Sequence, residues 1–126
     1  MDVQRIVHGF VARLGERLGT SLTLQNGVCA LYDEQDRELA VIEIPLPGSA
    51  VMLYCRLGRS GAGLDYQRLL TANFDMGSMR GCWFALDRGA LCLCTQREIA
   101  DLDEQRFCDL AMGFIAQAKT MRNTLQ

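Results

Sequence analysis

The sequence predicts an α+β fold built on a mostly antiparallel five-stranded sheet, and three observations lead there. Both ends of the chain carry a 3.6-residue apolar period, Val3, Ile6, Val7, Phe10, Val11, Leu14 and Leu18 at one end and Phe107, Leu110, Ala111, Phe114, Ile115, Ala118, Met121 and Leu125 at the other. Between them the period shifts toward 2, in short runs of β-branched and aromatic residues bounded by turn formers. The first three runs are joined by links of only five or six residues, whereas a parallel crossover needs a dozen or more. The resulting order is helix, three strands, helix, two strands, helix.

The first helix covers residues 2–18, with Asp2 fitting its N-cap and Gly19 its stop. A carboxylate accepts from the orphan amides of a first turn, and glycine tolerates the left-handed backbone that ends a helix. Strands are expected at Val28 to Tyr32, Leu39 to Ile44 and Ala50 to Leu57, separated by Asp33-Glu34-Gln35-Asp36 and by Pro45-Leu46-Pro47-Gly48-Ser49. A glycine-rich stretch from Gly58 to Gly63 leads into a second helix from Leu64 to Asp75, with Tyr66, Leu69, Leu70 and Phe74 on one side and Gly77 as its terminator. Cys82 to Asp87 and Ala90 to Thr95 read as a hairpin about Asp87-Arg88-Gly89. The last helix is expected to start at Asp101, paired with Glu104 as a capping box.

At 126 residues, with no repeat, low-complexity tract or linker, the chain reads as one domain over residues 1–126. A folded 14.0 kDa monomer exposes roughly 6,700 Å², against about 20,000 Å² for its extended chain. A composition that is 49% hydrophobic has apolar surface to spare for that size. Thirteen basic against 15 acidic side chains leave a net charge of −2, which supplies no electrostatic drive toward nucleic acid or an anionic membrane. No apolar run approaches a membrane span, and the N-terminus does not read as a signal peptide. The expected setting is the cytoplasm, with reduced thiols.

The surplus is located by strand parity. Val51, Leu53, Cys55 and Leu57 alternate with Ala50, Met52, Tyr54 and Arg56, and Cys82, Phe84 and Leu86 alternate with Trp83 and Ala85, so both faces are substantially apolar. An antiparallel sheet covered on one side normally alternates apolar with polar. Three helices cover one face of five strands but not both, so part of the second face is expected to be buried by another subunit or a bound polypeptide.

A search for chemistry returns little. Cys92 and Cys94, two apart on a strand, lie about 7 Å apart between Cα atoms, a poor disulfide geometry. The sequence has no C-x-x-C and a single histidine, His8, on the polar side of the first helix, so neither a metal site nor a Cys-His or Ser-His pair assembles. The cysteines Cys29, Cys55, Cys82, Cys92, Cys94 and Cys108 read as small core hydrophobes. Arg59-Ser60-Gly61-Ala62-Gly63 lacks the ending of a P-loop and reads as a flexible lead into the second helix. Asp101, Asp103, Glu104 and Asp109 suit the positive end of the last helix. No cofactor, metal or catalytic residue is expected.

Leu69-Leu70-Thr71-Ala72-Asn73-Phe74, then Phe84-Ala85-Leu86-Asp87, then Leu91-Cys92-Leu93, with Leu102-Asp103-Glu104-Gln105-Arg106-Phe107 and a closing amphipathic helix, resemble the class I type III secretion chaperones, the family of the Tir chaperone. With the more loosely fitting N-terminal helix and three strands, the resemblance covers nearly the whole chain. It implies a secretion-chaperone-like fold and a bacterial cytosolic homodimer. Such a dimer holds the N-terminal region of a secreted effector extended, keeps it soluble, and delivers it to the export apparatus, with the export ATPase as a further partner, without hydrolysing ATP itself. It also implies a dimer interface on the second helix and the following strand: Leu69, Leu70, Asn73 and Phe74, with Trp83 and Ala85 or their alternate-parity neighbours Cys82 and Phe84. For the client surface the expected residues are Tyr32, Ile42, Met52 and Tyr54 on the strands, with Phe10 or Leu14 of the first helix near a pocket, because an extended client adds backbone bonds at a sheet edge and side chains into apolar pockets; the alternative for each is ordinary core, which is the favoured reading for Phe10 and Leu14. The alternative is a cysteine-using α+β module, either a redox-responsive regulator or a small-ligand enzyme.

Overall fold

Residues 2–45, 48–59, 61 and 63–125 are described by the computed structural model. Helix α1 spans Val3–Leu18; Asp2 Oδ1 accepts from the Arg5 N–H at 3.1 Å, and Gly19 closes the helix at φ 75°. The strands are β1 (Val28–Tyr32), β2 (Glu38–Glu43), β3 (Ala50–Arg59), β4 (Trp83–Asp87) and β5 (Ala90–Glu98). They pair in the order β1-β2-β3-β5-β4, antiparallel throughout. The two outer strands are thus β1 and β4, while β3 and β5 share the longest ladder, from Ala50 opposite Glu98 to Arg59 opposite Ala90. β3 and β5 both outrun their expected ends, because each extends the other's ladder past the point where the apolar alternation stops. In the β4–β5 hairpin, Arg88 joins Gly89 at positive φ (48° and 80°), the pattern of a two-residue turn that matches the twist of the strands.

Two helix boundaries differ from expectation. The single helix expected from Leu64 to Asp75 is two: α2 (Tyr66–Asn73) and α3 (Met76–Met79). Each has its own aspartate cap, Asp65 Oδ1 accepting from the Arg68 N–H at 3.0 Å and Asp75 Oδ1 from the Ser78 N–H at 3.3 Å. A second cap restarts the chain in a new direction, so Gly77 lies inside α3 and the left-handed Arg80 ends it. The last helix, α4, runs Glu104–Leu125. Its start is held by Asp103, whose Oδ1 accepts from the Arg106 N–H at 2.8 Å. Asp101 instead closes a 3₁₀ turn, Ile99–Asp101, and the expected capping box does not form. The Gly58–Gly63 and Pro45–Ser49 links lie partly outside the described residues, at Ser60 and Ala62 and at Leu46 and Pro47.

Helices α1 and α4 pack together over one face of the sheet. Phe10 and Phe107 stack with centroids 5.4 Å apart and planes at 23°. Val7, Val11 and Leu14 of α1 and Phe107, Ala111, Phe114 and Ala118 of α4 form one cluster with Leu31, Ile42, Val51, Leu53 and Leu93 from the strands. Buried α1 residue Gly15 lets the chain that follows the helix fold back closely against it, since a Cβ there would lie 2.6 Å from the Thr20 carbonyl oxygen.

Candidate binding surfaces

The opposite face of the sheet has a row running across all five strands: Ala30, Val41, Tyr54, Cys94 and Trp83 face one another in register. Val41, Cys92 and Cys94 are buried yet stand outside the core cluster. They are short side chains shadowed by the longer Met52, Tyr54, Arg56 and Trp83 beside them, with the Arg56 guanidinium 5.6 Å from the Tyr54 ring centroid and 2.8 Å from Glu38. Met52, Tyr54, Arg56, Cys92 and Cys94 belong to the lining of an open concavity of about 710 Å³ on this face.

A different surface carries the exposed apolar bulk. Leu70 (69% exposed), Phe74 (82%), Met76 (73%) and Leu86 (57%) stand on α2, α3 and β4, with Tyr66 beside them. Of the residues expected at a subunit interface, Leu70 and Phe74 are open to solvent, whereas Leu69 and Phe84 are buried and belong to the core cluster. Trp83 is half-buried on the other face. Asn73 is half-buried, and its amide is spent on the backbone of Phe84. A cleft of about 350 Å³ between Leu70, Leu86 and Tyr66 reaches down to Leu69 and Phe84. Met76 and Leu86 escaped the sequence reading. Met76 was hidden by placing the helix end at Gly77; the signal for Leu86 was its parity with Phe84, two residues before it.

Of the residues expected to meet a client, Phe10 and Leu14 are buried on the inner side of α1 and Ile42 is buried on β2 beneath the helices. Met52 and Tyr54 are half-buried on the open face. Tyr32, at the end of outer strand β1, is 57% exposed. It borders a groove of about 790 Å³ lined by Leu18, Leu22, Ala30, Leu31 and Leu39. Leu18 and Leu22 were not foreseen as a wall of that groove, because it forms only when the chain turns at Gly19 and returns past the edge of β1.

The thiols are chemically quiet. All six cysteines are free and buried. Burial pushes Cys29, Cys55, Cys82 and Cys92 upward in pKa and raises Cys94 to about 11, so the reactive thiolate is disfavoured. At Cys55 the Arg122 guanidinium, which donates to the sulfur at 3.0 Å and to the Arg56 carbonyl at 3.0 Å, opposes that effect without reversing it. Among the described residues, no group of three or more His, Cys, Asp and Glu could hold a metal, and no helix is long and apolar enough to cross a membrane.

Comparison with known proteins gives the fold a family. No curated protein sequence matches the chain. A chain of the ExsC–ExsE complex superposes with a TM-score of 0.80 at 19% identity, covering 99% of this chain and 97% of that one. The HopA1–SchA chaperone–effector complex matches with a TM-score of 0.76 at 13% identity, over 95% of each chain. The Yersinia pestis type III secretion chaperone SycH, in complex with a stable fragment of YscM2, matches with a TM-score of 0.66 at 16% identity, over 90% of this chain and 97% of that one. At these identities the likeness is one of fold. The family itself rests on sequence: the signature of the Tir chaperone protein (CesT) family matches residues 9–122, from the middle of α1 nearly to the end of α4. The chain is therefore a member of the Tir chaperone protein (CesT) family of type III secretion chaperones.

Proposed function

We propose that this chaperone works as a homodimer that binds the N-terminal segment of a secreted effector, keeps it soluble and competent for export, and delivers it to the export apparatus and its ATPase from the bacterial cytoplasm. A chaperone of this kind is a binding protein, not an enzyme. The observation that carries the reading is the exposure of Leu70, Phe74, Met76 and Leu86 along α2, α3 and β4, with Leu70, Leu86 and Tyr66 lining one apolar cleft. Exposed apolar side chains in one contiguous patch mark an interaction surface. The isolated chain exposes 8057 Å², more than the roughly 6,700 Å² expected of a monomer of its mass.

The client's place in this reading is the opposite side of the sheet. At the start of β1, Gln25 and Val28 bond each other through N–H···O contacts of 2.8 and 3.0 Å. From Ala30 onward the outer side of β1 borders no strand among the described residues. A strand added there would set alternate side chains into the groove beside Leu18, Leu22 and Leu39 while Tyr32 packs on its flank. Met52 and Tyr54 offer further apolar contacts on the open face; Phe10, Leu14 and Ile42 act from beneath, as the floor that holds these elements in place. The solved HopA1–SchA complex, a chaperone with its effector on the same fold, supports effector binding by this chain. The test is to purify the protein from its native bacterium and identify what accompanies it, with light scattering for assembly state. A dimer carrying a secreted protein whose N-terminal region suffices for binding is the expected result; a stable monomer that retains no secreted protein would overturn the reading.

The alternative of a thiol-using regulator or small-ligand enzyme finds little support in the site. Its reactive group would have to come from six thiols that are all buried.

A further inference from the structure

The two outer strands end the sheet differently, and the difference lies in one side chain. On β4, the Asn73 amide nitrogen donates to the Phe84 carbonyl at 3.2 Å, and the Asn73 amide oxygen accepts from the Phe84 N–H at 2.7 Å. A carboxamide holds a donor and an acceptor side by side, so it meets both peptide groups of Phe84 as a neighbouring strand would. Since those groups point to Asn73, Phe84 and the Leu93 opposite it on β5 form a non-hydrogen-bonded pair, and Phe84 is one of the positions that face outward from the sheet. Outward positions alternate, so the others are Cys82 and Leu86. The Cys82 N–H is taken by the Met79 carbonyl at 3.0 Å. Among the described residues, the Leu86 N–H is then the one amide of these three outward positions without a partner, and an incoming strand must bond successive outward positions to register.

We propose that Asn73 is a surrogate strand that closes β4 to strand addition. Whatever docks on the α2, α3 and β4 surface, a second copy included, then meets side chains rather than open backbone, and added strands are confined to β1. An outer strand as apolar as Trp83-Phe84-Ala85-Leu86, flanked by exposed Leu70 and Phe74, is the kind of edge that recruits further chains when its peptide groups are free. The placement follows from α2 itself. Asp65 fixes where the helix begins, eight residues carry it to Asn73, and its last side chain arrives beside Phe84. Aspartate at this position would keep the acceptor and lose the donor. Alanine would lose both.

Amide hydrogen exchange and light scattering on Asn73→Ala and Asn73→Asp test this. In Asn73→Ala the Phe84 amide should exchange at least tenfold faster while the Leu53 and Leu93 amides keep their rates, and species larger than the parent assembly should accumulate with concentration. Asn73→Asp should keep Phe84 protected and stay at the parent size, because its carboxylate accepts from the Phe84 N–H and places a charge on the edge. Unchanged exchange at Phe84 in Asn73→Ala would overturn the proposal; so would a uniform rise across Leu53, Leu93 and Phe84 with no larger species, since that marks a mere stability contact. Adding Asn73→Ala to a Leu70→Arg chain separates this proposal from the subunit reading: the Phe84 amide is still expected to open there, whether or not the substitution at Leu70 alters assembly.

Discussion

The two faces of the sheet are built from similar residues but hide them by different means. On one face Ile42, Val51, Leu53 and Leu93 lie under α1 and α4, inside a continuous core. On the other Val41, Cys92 and Cys94 are equally hidden from water, yet no helix covers them; their neighbours Met52, Tyr54, Arg56 and Trp83 shade them. The comparison teaches that low exposure is not the same as core. A residue held by a layer of packed helix loses many contacts when truncated, whereas one shaded by mobile-ended side chains loses few, because those side chains can close over the gap.

The largest effect that exposes this contrast is Phe107→Ala, which removes a ring stacked on Phe10 in the centre of the covered face. It should cost about 3–5 kcal/mol in urea unfolding; in the size-matched pair, Val51→Ala beneath the helices should cost more than Val41→Ala on the open face, and equal losses in that pair would mean the two faces are packed alike. Next is Leu70→Arg. In the proposed dimer a charge at this apolar position would have no partner and oppose association strongly, so light scattering should report a monomer. The folded chain itself should change by no more than about 0.5 kcal/mol, because the position is exposed. Gly15→Ala then probes how tightly the covered side is drawn together. Its Cβ would meet the Thr20 backbone oxygen at 2.6 Å, and overpacking of that kind costs about 1–3 kcal/mol in thermal or urea unfolding.

The smallest effect concerns the open-face thiols. Burial raises Cys94 from the ordinary 9.0 to about 11. The folded state therefore holds that proton more tightly than the unfolded chain does, so the contribution is complete below pH 9 and is lost as pH rises toward about 11. Unfolding free energy measured across this window should fall, and Cys94→Ala should flatten the slope. At pH 8 a thiol reagent should react slowly with the folded protein and with all six cysteines once it is unfolded.

Much of the architecture was legible because it depends on local chemistry. The stripe from Val3 to Leu18 with Asp2 and Gly19 at its ends could be read directly, as could the strands around Cys29, Ile42 and Leu53 and the turn at Arg88-Gly89. The break between α2 and α3 was not legible, because Asp75 as a cap and Asp75 as a helical residue look alike until the chain is seen to turn. The shift of the last cap from Asp101 to Asp103 has the same origin: several aspartates compete for one role, and the 3₁₀ turn at Ile99 selects among them. At the candidate surfaces, Leu70 and Phe74, expected at an interface, are exposed, while Leu69, expected there too and next to Leu70 on α2, is buried. Residues one position apart on a short helix face different surroundings, and only the strand beneath decides which is covered.

By itself the sequence determined the α+β order, the apolar surplus on both faces, the resemblance that names the family, and the poverty of catalytic groups. These are set by periodicity, turn chemistry and composition, which act over a few residues or over the whole chain at once. Tertiary structure alone decided that β4 and β1 are the outer strands, that Ile42 lies under the helices, that Leu18 and Leu22 wall a groove, and that Asn73 meets Phe84. Each of these joins groups far apart in sequence, or sorts near neighbours by what packs against them, and the pairing of strands is a choice made across the whole fold.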